Sequence, residues 1–339
     1  MPNSRLSFGR IVWMLTIFCI SHFEFIFNLP MSSFFLAANS ILPLFLIILL
    51  GYVMMRTEVV RPGWVDILNK YALWIGLPSL IFVALIRLDF RLSEYGSFIL
   101  LNSAYLVCCI LLAFPVSVLF KTTLQTRRTM FLLLGFGNIS YLGIPLLSSA
   151  LGPEALGSAI LLAAIYPFWM FTFAIGLIEI TGHEKVHILV ILKRLIANPL
   201  LISVFLGILA SWQKIPFPGA LIKTLDLFGQ SVTAIVLFSL GIFLGAQQIG
   251  TRRQWLPIIG LSLFIMIILP GIFYFFVSRS GMTIVQIRSS VLDAAMPVGI
   301  TAYAMSEQYE LNALLTGRLI ILSTVLSGVV LPLWIVFTS

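Results

Sequence analysis

Long apolar runs dominate this chain, separated by short polar connectors that hold most of its Lys and Arg. Ten runs succeed one another, at roughly 35–55, 66–86, 98–120, 129–150, 155–179, 195–212, 221–247, 255–277, 285–306 and 312–337. Each is about 20 residues, the length a helix needs to cross a bilayer. The pattern predicts an all-α, polytopic membrane protein of ten transmembrane helices. The longest polar connector is "TGHEKVHILVILKR" at 181–194, and it divides the runs five and five. The chain therefore reads as a first five-helix half (31–180), a polar linker (181–194) and a second five-helix half (195–339).

The fourth and ninth runs depart from this pattern. "LLLGFGNISYLGIPLL" holds Gly135, Gly137, Asn138, Gly143 and Pro145 inside one spanning stretch. "SVLDAAMPVGITAYAMSEQY" holds Pro297 and Gly299. Proline removes a backbone N–H and clashes with the carbonyl one turn back. In hydrocarbon each unsatisfied backbone group costs several kcal/mol, so freed groups must face protein, water or a bound solute. Two such breaks at matching places in two halves point to a binding site near the midplane. A lone proline such as Pro115 or Pro270 is read as a kink.

The halves also repeat. At an offset of 156, Pro43 matches Pro199, Gly51 matches Gly207, Pro62-Gly63 matches Pro218-Gly219, and Gly143 matches Gly299. An odd number of spans per half forces opposite orientations, the inverted-repeat design of many secondary transporters. The connectors after odd-numbered runs hold ten Lys and Arg, and the opposite connectors hold six. The richer side is expected in the cytoplasm.

Composition agrees. The 339 residues are 60% hydrophobic and 9% charged, with mean hydropathy +1.11. A soluble domain carries about 25% charged residues. The net charge of +8 is loop charge without a long basic block, so no nucleic-acid partner is expected. Cys19, Cys108 and Cys109 lack metal or CxxC spacing, and His22, His183 and His187 are scattered. No metal or cofactor is expected. The first thirty residues open with Arg5, Arg10 and an apolar stretch, without a small-residue cleavage site, and His22 and Glu24 interrupt them. They read as an extension of doubtful function, and the functional chain is expected to begin at or near Met31.

Three segments carry a family resemblance. "GNISYLGIPL" resembles the fourth-span motif of the auxin efflux carrier family. "AAMPVGITAYAMSEQY" resembles that family's penultimate-span motif, and residues 197–245 resemble its sixth and seventh spans. The resemblance runs from about Met31 to the C-terminus. It implies a carrier of organic anions akin to bacterial malate and malonate permeases and plant auxin exporters. It implies two inverted five-helix repeats whose helices 4 and 9 cross at their prolines beside the substrate. By motif it assigns Asn138, Gly143, Pro145 and Pro297 to the site. Two positions depart from the family pattern. Thr301 stands where Asn is usual, and Ala234, the repeat mate of Pro78, stands where Pro is usual.

Other candidates come from the residues themselves. Asn138 can both donate and accept hydrogen bonds, which suits a carboxylate. Tyr141 and Tyr303 flank the breaks and carry O–H donors. Asp293 is an ionisable group inside a span, a functional candidate by default. Asp293, Pro297 and Thr301 recur every four residues and share one face wherever helix persists. Asp293 reads either as a H⁺ or Na⁺ coupling site or as a structural carboxylate. Trp212, Trp255 and Trp334 lie near span ends, where interfacial anchoring is expected. The expected function is a secondary active transporter of small mono- or dicarboxylates in the cell membrane, not an enzyme. The alternatives are a cation or proton antiporter of the same design and a non-transporting membrane receptor. Expected partners are the organic anion and the lipid bilayer, with a homodimer left open.

Overall fold

A computed structural model describes residues 31–87, 92–182, 189, 192–193, 196–247 and 255–339. The extension at 1–30 and most of the 181–194 linker lie outside the described residues. Among the described residues, twelve helical segments carry the fold: α1 (Met31–Arg56), α2 (Trp64–Arg87), α3 (Gly96–Leu119), α4 (Leu124–Leu133), α5 (Ile139–Leu151), α6 (Pro153–Thr181), α7 (Pro199–Trp212), α8 (Gly219–Ala246), α9 (Leu256–Val277), α10 (Ile284–Ala294), α11 (Thr301–Gln308) and α12 (Ala313–Phe337). Seven of them, α1, α2, α3, α6, α8, α9 and α12, are long and apolar enough to cross a membrane. α7 has 14 residues, about 21 Å of helix, less than the ~30 Å hydrocarbon thickness. The fourth and ninth apolar runs are each split, into α4 and α5 and into α10 and α11.

Three helices share a local device that the sequence explains. A wide π-turn precedes Pro78 (Ala72–Gly76), Pro145 (Ile139–Gly143) and Pro270 (Phe264–Ile268). A proline ring clashes with the carbonyl four residues earlier, which is Trp74, Tyr141 or Met266. Each of these lies at the middle of its π-turn, where the widened backbone makes room. The proline of the fourth run is thus absorbed inside α5, and the interruption itself falls earlier, at Leu134–Asn138. In the ninth run Pro297 lies within the interruption, Ala295–Ile300.

Packing sorts the helices into two groups. In the first, α1 packs on α8, and α2 packs on both α7 and α8. The α1–α8 approach needs glycine: a Cβ on Gly51 would strike the Phe238 carbonyl, and one on Gly241 would strike the Ile48 carbonyl. Small residues let spanning backbones meet this closely. The second group sets α3 against α4 and α6, α9 against α10 and α12, and α6 against α10. Both interrupted helices belong to it. Trp334 differs from its expected place at an interface. It is buried at 9% exposure, and its indole N–H donates to the Met266 carbonyl at 2.9 Å, the carbonyl displaced by Pro270.

Candidate functional site

The two interruptions meet and satisfy each other. Gly137 and Val298 form an isolated antiparallel β-bridge. The Asn138 N–H donates to the Pro297 carbonyl at 2.7 Å, and the Gly299 N–H donates to the Phe136 carbonyl at 2.9 Å. The Val298 N–H donates to the Ser323 hydroxyl of α12 at 3.1 Å. Backbone groups freed from the helices are thus paired inside protein, as hydrocarbon requires. The contact needs a bare backbone at Gly299, where a Cβ would lie 3.1 Å from the Gly137 carbonyl oxygen and 3.4 Å from the Asn138 Cα. The crossing joins the Pro297 stretch to Phe136–Asn138. Pro145 takes no part in it, because its π-turn holds it inside α5.

Beside the crossing lies a cavity of about 490 Å³, within the range of small-molecule sites. Its walls come from both packing groups. One wall holds Asp66, Asn69 and Lys70 from α2, Asn198 at the start of α7, and Phe243 and Gln247 at the end of α8. The other holds Asn138, Ser140 and Tyr141, then Tyr166 and Met170, then Gly299, Thr301, Tyr303 and Glu307. The cavity therefore sits at the seam between the two groups.

Within it, Asn138 is 4% exposed, and its side-chain amide nitrogen has no hydrogen-bond partner. Its backbone carbonyl accepts from the Leu142 and Gly143 N–H groups, at 3.0 Å each, and so opens α5. The first N–H groups of a helix have no intrahelical acceptor. Ile139, Ser140 and Tyr141, which begin α5, all line the cavity. The start of α11 is more occupied: the Ala302 and Tyr303 N–H groups bond back to the Gly299 and Ile300 carbonyls at 3.0 Å. The Tyr303 ring meets Phe243 edge-on across the seam, with centroids 5.2 Å apart.

The candidates from sequence fall in two places. Asn138, Tyr141, Thr301 and Tyr303 line the cavity. Gly143, Pro145, Pro297 and Asp293 do not. Gly143 instead faces Asp293: a Cβ there would lie 3.3 Å from Asp293 Oδ1. Asp293 is the penultimate residue of α10, six unwound residues separate that helix from α11, and so Asp293 shares no helix face with Thr301. It is 1% exposed, and neither of its oxygens has a hydrogen-bond partner. It lines a much smaller chamber against the crossing residues Gly137 and Val298, about 10 Å³ in volume.

Lys70 lines the cavity but was not among the candidates from sequence. Asp66, Asn69 and Lys70 stand at i, i+3 and i+4, the spacing of one helix face. This polar stripe on the first turns of an apolar span was the signal. Asn69 is held by the Ser239 hydroxyl, which donates to its Oδ1 at 2.9 Å.

Residues 36–335 match the family described as membrane transport protein. The chain belongs to that family. This is the auxin efflux carrier family that the motifs resemble. The family member described here is similar to the "Putative malonate transporter" of Rhizobium meliloti (strain 1021), at 26% identity over 85% of this chain and 91% of that protein. It is similar to an uncharacterized transporter of Methanocaldococcus jannaschii, at 23% identity over 87% of this chain and 96% of that one. A third relative, an uncharacterized transporter of Methanothermobacter thermautotrophicus, is 26% identical over 88% of this chain and 97% of its own. As a member of this family the chain is a multi-pass membrane transporter.

Proposed function

We propose that the protein is a secondary active carrier of small carboxylates in the cell membrane, working by alternating access. One observation carries the reading. Asn138, with its buried and unpartnered amide nitrogen, and the first residues of α5 line a small-molecule-sized cavity between two packing groups. Those donors suit a carboxylate, and Lys70 adds a positive charge to the same walls. A relative whose name refers to malonate supports the carboxylate class.

In this reading the ten apolar runs are two inverted five-helix repeats, 31–180 and 195–339. The helix bounds favour it: shifted by 156, α2 falls on α8, α3 on α9 and α6 on α12 to within a few residues. Asn138, Tyr141, Thr301 and Tyr303 contact the substrate, while Gly143, Pro145 and Pro297 shape the broken helices behind them. Asp293 couples transport to H⁺ or Na⁺. The cavity opens and closes to the two sides as one packing group moves against the other.

Proteoliposome uptake over a panel of mono- and dicarboxylates, with neutral and cationic solutes as controls, tests the reading. Uptake of at least one carboxylate, competed by its analogues, is expected. A protein that moves only cations, or that moves nothing on the panel, overturns it.

A further inference from the structure

One long side chain lines both the larger cavity and the small chamber. Tyr166 lines the cavity with its neighbours Pro167 and Met170. It also lines the chamber with Tyr105 and Asp293. Phe136 and Gly137, at the crossing itself, complete the shared wall. The Tyr166 hydroxyl is the donor that approaches the Asp293 carboxylate, and no group closes a full hydrogen bond to either oxygen. Resting on the carrier reading, we propose that the chamber is a one-proton site on Asp293 and that Tyr166 is the movable partition through which substrate and proton sense each other.

The chamber's chemistry favours a proton over a metal cation. Its volume of about 10 Å³ is the least that holds one water. A sodium ion needs a cage of several oxygens, but Leu106, Leu133, Leu134, Ile265 and Val298 make up much of the wall. The titratable groups facing Asp293 are Tyr105 on α3, close to Cys109, and Tyr166 on α6. No Lys, Arg, His, Glu or second Asp lines the chamber among the described residues. A lone carboxylate here has no countercharge, and a buried charge without a partner is strongly disfavoured. Binding one proton removes the charge. The proton comes from water in the cavity, bonds to one Asp293 oxygen, and later leaves to water on the opposite side. No electron moves.

Tyr166 is placed to move. Pro167 follows it inside α6, and the π-turn Met170–Ala174 begins four residues on. Proline lacks the N–H that would tie this turn to the Ala163 carbonyl, and π-turns recur at functional sites. A solute in the cavity that displaces the Tyr166 ring changes the donor facing Asp293. A protonated Asp293 in turn alters where the ring rests.

The test uses the full chain with Tyr166→Phe, Tyr166→Leu and Asp293→Asn. Two measurements are made: protons moved per carboxylate in proteoliposomes carrying a pH dye, and the infrared C=O stretch of a buried protonated carboxyl in lipid. The wild type should show that band, and Asp293→Asn should lose it. Tyr166→Phe should shift the band and lower the proton-to-substrate ratio at least threefold. Tyr166→Leu, which opens the partition, should lower the ratio at least tenfold. Wild-type ratio and band in both Tyr166 variants overturn the partition. A band that Asp293→Asn leaves unchanged, or uptake that follows Na⁺ after the pH gradient is collapsed, overturns the proton site. If the wild type moves no carboxylate yet shows the Asp293 band with its Tyr166 shift, the carrier reading falls and the proton site remains.

Discussion

Asn138 is fixed through its backbone and free through its side chain. Its N–H and carbonyl join the crossing and open α5, while its amide nitrogen lies buried without a partner. Replacing the side chain therefore leaves the backbone pairing of the crossing in place and removes the amide. Asn138→Leu should raise the KM for carboxylate uptake about tenfold or more, because a hydrogen bond to a charged group contributes about 1.5–3 kcal/mol. Its thermal unfolding should stay close to wild type. An unchanged KM would show that the amide serves the protein and not the solute. Asp293 lies outside the cavity, so its substitution should read differently. Asp293→Asn should abolish accumulation against a gradient while counterflow exchange persists. An Asn variant that still concentrates substrate would make the carboxylate structural.

At the scale of elements, each interrupted helix is completed by other parts of the chain. Ser323 of α12 shows how far this extends. Its hydroxyl donates to the Leu319 carbonyl at 2.6 Å and accepts the Val298 N–H at 3.1 Å. Ser323→Ala strands a buried N–H, a loss of about 1–3 kcal/mol. A thermal melt in detergent should fall by several degrees. A melt at the wild-type temperature would mean that another acceptor reaches Val298. The interruptions themselves were legible in the sequence, because Gly and Pro inside apolar runs leave few alternatives. Their pairing was not, since no local pattern tells Phe136 that Gly299 is its partner. Pro145 misled for a related reason: a π-turn can absorb a proline without ending the helix, and nothing in its composition announces one. Asp293 and Thr301 looked coaxial only while the segment between them was taken as helix. Lys70 was visible in the α2 stripe, but its place at the cavity depends on how α2 packs, which periodicity does not encode.

At the scale of the whole molecule, the cavity lies on the seam between two packing groups, and its lining reaches Pro62 and Gln247, just outside their helices, and Glu307 near the end of α11. Pro62 sits in a connector and Gln247 at the start of one, both on the side that the Lys and Arg distribution places in the cytoplasm. Lys70→Cys and Glu307→Cys should therefore react with a membrane-impermeant thiol reagent applied from the cytoplasmic side, on a background without native cysteines. Saturating carboxylate should slow the reaction severalfold. Labelling only from the opposite side would invert the orientation. The shared bridge between the two interruptions also bears on how the protein is made. Asn138 leaves the ribosome 159 residues before Pro297, about 8–30 s at ordinary elongation rates. For that time the first interruption is in or near the membrane without the carbonyl it will pair with. It must wait against water, the insertion machinery or a temporary helical form. A nascent chain arrested before α10 should therefore be handled by the cell as unfinished, however many of its spans are already threaded.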